Sequence, residues 1–150
     1  MKLAAATLAD LDAIDEIERH SFPQPWPRAT FEAELARPHA RVVVARDGGV
    51  AGFCNYWLVA QELHVLASAT HPDRRRAGIG RLLLDHALAE ARATRCTLAT
   101  LEVRRGNAPA IALYERAGFA TVHVRARYYQ DNDEDALVMV SQLGLSGSSP

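Results

Sequence analysis

Four arginines bracket a Gly-x-Gly in the stretch His71-Pro72-Asp73-Arg74-Arg75-Arg76-Ala77-Gly78-Ile79-Gly80-Arg81. That combination suits a phosphate-bearing ligand. Glycine lacks a side chain, so the backbone turns tightly there and presents N–H groups to an anion. An amphipathic helix pattern starts at once, and its N-terminus aims unpaired N–H groups and a positive dipole end at the same spot. Arginine adds charge-assisted hydrogen bonds to phosphate oxygens.

The competing phosphate motifs fail residue by residue. A P-loop needs Gly-Lys-Ser/Thr, and the only lysine is Lys2. The dinucleotide fingerprint needs a third glycine where Leu83 stands. There is no Gly-x-Ser-x-Gly elbow and no His-Glu-x-x-His. None of the six histidines sits at ligand spacing, so His64 and His71 read as ordinary polar or core residues. Cys54 and Cys96 stand alone, which predicts buried free thiols in a reducing compartment. No metal is expected.

The elements that must position this stretch alternate between strand and helix. Residues 2 to 6 read as a strand, and Thr7 with Asp10 forms a capping box that starts a helix. Leu8, Leu11, Ala13, Ile14 and Ile17 give that helix an apolar face. Asp10, Asp12, Asp15, Glu16 and Glu18 read as a solvated acidic remainder. Phe22-Pro23-Gln24-Pro25-Trp26-Pro27 is a stiff loop carrying two large aromatics. A short helix runs from Arg28 to Arg37. Strands follow at 41–46, 50–59 and 62–70, the first two joined by Asp47-Gly48-Gly49.

The helix after the glycines spans 78–94, with Ile79, Leu82, Leu83, Ala87, Leu88 and Ala91 at helical spacing. A strand at 97–103 places Leu98, Thr100 and Glu102 on one face. Asn107 caps a short helix that Gly118 ends. Strands at 119–129 and 136–143 flank an acidic turn at Asp131 to Asp135. One domain over 1–144 follows, with 145–150 as a flexible Gly/Ser tail.

The 150 residues carry a net charge of −1, so no global field draws the chain to nucleic acid or a membrane. Sixteen of the seventeen basic residues are arginine, which reads as genome bias. No apolar run approaches a membrane span, and Asp10 and Asp12 interrupt any signal-peptide core. A soluble cytoplasmic protein is expected.

Strand, Arg-x-x-Gly-x-Gly, helix, strand, then Asn107 and Tyr114 on a short helix resembles the GNAT (Gcn5-related) N-acetyltransferases. Their acetyl-coenzyme A loop reads Gln/Arg-x-x-Gly-x-Gly/Ala, which Arg75, Gly78 and Gly80 match. Further stretches resemble the ribosomal-protein-alanine N-acetyltransferase branch of RimI type. They are Leu101-Glu102-Val103-Arg104, Asn107-Ala108, Ala110 to Tyr114, Gly118-Phe119, the Phe-Pro-x-Pro-Trp loop, Tyr128-Tyr129 and Glu134-Asp135-Ala136. The resemblance implies a single-domain mixed α/β (α+β) GNAT fold, with a mostly antiparallel mixed sheet of about seven strands and about four helices.

It also implies acetyl-coenzyme A as cosubstrate and a protein N-terminus as acceptor, specifically the N-terminal alanine of a small-subunit ribosomal protein. The amine attacks directly in a ternary complex. Glu102 is then the base and Tyr114 the acid that protonates the departing thiolate. Ser68, Ala69 and Thr70, with Arg75, Arg76, Ala77, Gly78, Ile79, Gly80, Arg81 and Asn107, would hold the coenzyme. Phe22, Trp26, Tyr128 and Tyr129 would flank the acceptor.

Plainer readings stand beside these. Glu102 pairs with Arg104 or Arg105, Tyr114 is a core aromatic, and Asn107 only caps. The acidic turn either attracts a basic protein tail or is a solvated hairpin tip. Ser68-Ala69-Thr70 replaces the branch's usual Ile-Ala-Val, and Ala67 stands where it often has Asn. Such changes spare backbone contacts but bear on acceptor preference. A small-molecule amine as acceptor, or a non-catalytic acetyl-coenzyme A-binding regulator, are the other functions. No nucleic-acid or membrane partner is expected, and the protein reads as a monomer or weak dimer.

Overall fold

The computed structural model describes residues 1–75 and 77–144, so the expected tail at 145–150 and Arg76 lie outside the described residues. Seven strands are β1 (Lys2–Ala5), β2 (Ala40–Arg46), β3 (Val50–Val59), β4 (Glu62–Thr70), β5 (Leu98–Arg104), β6 (Ala120–Tyr129) and β7 (Glu134–Gln142). Four helices are α1 (Leu11–Ser21), α2 (Arg28–Ala36), α3 (Ile79–Ala93) and α4 (Ala108–Arg116). The strands form one sheet in the order β1-β2-β3-β4-β5-β7-β6. Every neighbouring pair is antiparallel except β4 and β5. A parallel pair needs a long crossover, and α3 supplies it.

Alternation along the strands divides the core between the two faces of the sheet. Val43, Ala45, Cys54 and Leu63 pack with Ile79, Leu83, Leu84, Ala87, Leu88 and Ala91 of α3. Val42, Val44 and Phe53 pack with Leu11, Ile14, Ile17 and Phe31 of α1 and α2. Leu84 takes the place expected of Leu82, which is 40% exposed. Leu82 lies five residues before Ala87, about 140° around the axis, and so faces away from the sheet.

The capping box at Thr7 forms, with the Thr7 N–H donating to Asp10 Oδ2 at 2.9 Å. It opens a single 3₁₀ turn, Leu8–Asp10, before α1, which leaves Leu8 exposed. Asp10 is buried and pairs with Arg46 at 2.7 Å, so it does not belong to a solvated acidic face.

One irregularity shapes the middle of the sheet. Asn55 of β3 faces Ala67 while Tyr56 faces Val65, so Leu66 has no counterpart and β4 bulges there. Bulges bend the strand that carries them. The pairing between β4 and β5 runs from Glu62–Leu98 to Val65–Leu101 and then stops. Beyond it, β4 stays with β3 as far as Thr70, while Glu102 to Arg104 stay with β7. A wedge opens in the sheet between them.

Candidate active site

A cavity of about 730 Å³ fills that wedge. Val65 to Ser68 of β4 and Leu101 to Arg104 of β5 form two walls. Asn107 at the N-cap of α4, with Ala110 and Tyr114 of that helix, forms another. Glu18 and Ser21 of α1, Phe22 and Trp26 of the following loop, and Tyr129 with Glu134 close the remainder. Glu102, Tyr114, Ser68, Asn107, Phe22, Trp26 and Tyr129 from separate parts of the chain therefore share one space.

Glu102 projects from β5, and its Oε2 lies 2.6 Å from Nε of Arg125 on β6. The expected alternative partners are engaged elsewhere. Arg104 pairs with Asp131 at 3.1 Å and Glu134 at 3.2 Å, and its guanidinium sits 3.9 Å from the centre of the Tyr129 ring. Arg105 pairs with Asp135 at 2.8 Å. Glu134 also accepts the Gly106 N–H at 2.7 Å. The turn at Asp131 to Asp135 is exposed at 131–133, and Arg104 and Arg105 offset part of its charge.

Tyr114 is the core aromatic of its plainer reading, and it also borders the cavity. Its ring packs against the core and edge-on to Phe119, with centroids 5.9 Å apart, while the residue lines the cavity. Burial pushes its phenol well above the ordinary tyrosine value, so the group stays protonated and able to donate. Tyr128 is 46% exposed and is not among the cavity-lining residues, though the charge of Glu102 raises its phenol pKa. Tyr128 and Tyr129 meet edge-on at 5.2 Å. Asn107 accepts the Ala110 N–H at 3.3 Å, so it does cap α4, and it also reaches the cavity.

The glycine loop stands apart from this cavity. Arg75, Ala77, Gly78, Ile79, Gly80 and Arg81 do not line it, and neither do Ala69 and Thr70. Gly78 is the N-cap of α3 at φ 79°, a left-handed conformation that favours glycine, and no side chain caps the helix there. Gly80 approaches α4 closely, since a Cβ there would lie 3.4 Å from Leu113 Cδ2. Ile79 is buried in the core, which leaves only its backbone for a ligand. Arg75 donates to Ser21 Oγ at 3.3 Å, and Arg81 pairs with Asp85 at 2.8 Å.

Glu18 is the lining residue that sequence reasoning assigned to solvent. It is 2% exposed, and its Oε2 accepts the Trp26 N–H at 2.9 Å. Its spacing held the signal. Position 18 lies four after Ile14 and seven after Leu11, on the buried stripe of α1.

The sequence model of the acetyltransferase (GNAT) family matches residues 11–119. The chain belongs to that family. The Escherichia coli (strain K12) [ribosomal protein bS18]-alanine N-acetyltransferase is 32% identical over 145 residues, covering 95% of this chain and 98% of that protein. The N-alpha-acetyltransferase RimI of Mycobacterium tuberculosis is 38% identical over 144 residues, covering 91% of this chain and 89% of that one. The crystal structure of the ribosomal-protein-S18-alanine N-acetyltransferase from Escherichia coli superposes with a TM-score of 0.89 over 99% of this chain, at 32% identity. The mixed seven-stranded GNAT fold and the N-acetyltransferase class expected from the motifs both hold. Among the described residues no helix is long and apolar enough to cross a membrane.

Proposed function

We propose that this GNAT enzyme carries an acetyl group from acetyl-coenzyme A to the N-terminal α-amine of a protein, and that the acceptor is the N-terminal alanine of a small-subunit ribosomal protein. The convergence of Glu102, Tyr114 and the Phe22, Trp26 and Tyr129 rings on one cavity carries the reading. The names of the relatives from Escherichia coli and Mycobacterium tuberculosis support the choice of acceptor.

The fit of the coenzyme rests on α3 and β4. The first turn of α3, capped by left-handed Gly78 and no side chain, offers backbone N–H groups to a pyrophosphate. Arg75 and Arg81 supply charge around it, and Ala77, Ile79 and Gly80 supply backbone. Beyond Val65 the side of β4 turned away from β3 has no strand partner, so the backbone of Ser68, Ala69 and Thr70 is available to the pantetheine arm and the carbonyl oxygen. Asn107 adds a side-chain contact. Acetyl-coenzyme A supplies an acetyl group activated as a thioester.

Within the chain, Glu102 removes a proton from the attacking amine, directly or through one water. An α-amine has a pKa of about 7.7–8.0 and a lysine about 10.4, so deprotonation at pH 7 costs about 1 kcal/mol for the first and over about 4 for the second. A modest carboxylate base therefore suits an N-terminus. Tyr114 returns a proton to the leaving sulfur. Phe22 and Trp26 on one side and Tyr129 on the other flank the acceptor.

The test is a set of peptides beginning with Ala, Ser or Met, plus one with a blocked N-terminus and internal lysines. Each is incubated with acetyl-coenzyme A and read by mass. Acetylation of the Ala-led peptide and not the blocked one is expected. Activity confined to small amines overturns the protein acceptor.

A further inference from the structure

Three acidic side chains line the cavity: Glu18, Glu102 and Glu134. Two of them have cationic partners, Glu102 in Arg125 and Glu134 in Arg104. Glu18 has none among the described residues. Its Oε2 accepts the Trp26 N–H, while its Oε1 is closed to solvent and makes no hydrogen bond among the described residues. Leaving a buried charged acceptor unmatched costs more than an ordinary hydrogen bond returns, so such an atom calls for an explanation. Burial raises the Glu18 pKa, and the charge of Asp15 one turn earlier adds to the effect. Asp15 itself is engaged by Arg19 at 2.9 Å. A cation brought beside Glu18 reverses that penalty.

The cavity's proposed substrate arrives as such a cation. At pH 7 most of an α-amine, with a pKa of about 7.7–8.0, is still the ammonium form. We propose that Glu18 is the docking carboxylate for the ammonium of the acceptor: its charge, which no arginine answers among the described residues, pairs with that of the incoming group. Glu102, on the β5 wall, then takes one proton, and the neutral amine turns its lone pair to the thioester. Glu18 stays ionised through the step and exchanges no proton. This assignment rests on reading the cavity as an amine-acetylating site. It gives the enzyme two carboxylates of separate duty, one for affinity and one for turnover.

Glu18→Gln tests it, because the amide keeps the volume and an oxygen for the Trp26 N–H while removing the charge. Titration calorimetry with coenzyme A present compares two peptides of one sequence, the first with a free N-terminal alanine and the second already acetylated. Affinity for the free-amine peptide falls about tenfold in the variant, the size expected for losing one partner of a partly desolvated charge pair, and affinity for the acetylated peptide does not change. In steady state the acceptor KM rises about tenfold, while the KM for acetyl-coenzyme A stays the same.

Equal losses for both peptides overturn the assignment and leave Glu18 as a brace for the Trp26 loop. Unchanged affinity for the free amine overturns it as well. Should the wild-type enzyme acetylate small amines and no peptide, the protein-acceptor reading falls. The same comparison on a small amine and its N-acetyl derivative then still decides for or against Glu18.

Discussion

The carboxylate of Glu102 on β5 is held by Arg125, which stands two strands away on β6, at 2.6 Å. β7 lies between them, so the pair spans the whole C-terminal half of the sheet. The proposed base is thereby aimed by a residue that lines none of the cavity itself.

Removing that guide separates activity from stability. Both partners are partly exposed, with side chains 52% and 32% accessible, so the pair adds about 0–1 kcal/mol to folding. Arg125→Ala is expected to leave the thermal midpoint nearly unchanged while lowering kcat several-fold, measured by calorimetry and steady-state kinetics on the same preparation.

Replacing the base has a pH signature. Glu102→Gln is expected to lower kcat/KM at neutral pH by about 10²–10⁴. The deficit shrinks as pH rises past the pKa of the acceptor amine, where the amine is already neutral. A deficit that stays constant from pH 6.5 to 9.5 removes Glu102 from that role.

Tyr114→Phe divides the two duties of that ring. Packing against Phe119 survives the change, so stability should shift by less than about 1 kcal/mol. The proton for the leaving sulfur does not survive it, and kcat is expected to fall about 10–100-fold. Thermal unfolding and single-turnover rates check the two halves.

Gly52 makes room for the start of α3. A Cβ there would lie 2.9 Å from Ile79 Cγ2 and 3.0 Å from the Ala69 carbonyl oxygen. Gly52→Ala is expected to cost about 1–3 kcal/mol in urea unfolding. It should also raise the KM for acetyl-coenzyme A, because it displaces the first turn of α3.

Asp10 links stability to acid. Its hydrogen bond to Arg46, with further help from Thr7, holds its carboxyl below the usual aspartate value. A depressed folded-state pKa contributes stability that is present above the unfolded value of about 3.9 and is lost as pH falls through the folded one. Asp10→Asn should therefore destabilise the protein at pH 7. The gap from wild type should close as pH drops below about 4, followed by thermal unfolding across pH.

Local signals located most elements. Asp47-Gly48-Gly49 and the long β-branched and aromatic runs around it placed β3 and β4 at their observed ends. Asn107 and Gly118 bracketed α4 for the same reason, since caps and left-handed positions are written in single residues. Residues whose fate depends on distant neighbours were less legible. Glu18 looked like one more surface acid until the Trp26 loop closed over it. The acidic turn is exposed at 131–133 as its composition suggests, but its ion pairs with Arg104 and Arg105, far away in sequence, were not visible. The wedge depends on a single extra residue, Leu66, which matters only once β3 is alongside.

An unpaired strand edge is ordinarily a hazard, because it invites a second chain to add itself and begin an aggregate. In this protein the bulge at Leu66 creates such an edge in the interior of the sheet. The opening is flanked by α1, α4 and the β6–β7 hairpin, which cover the edge. Covering an edge with helices and a hairpin is one of the ways by which natural sheets guard against aggregation.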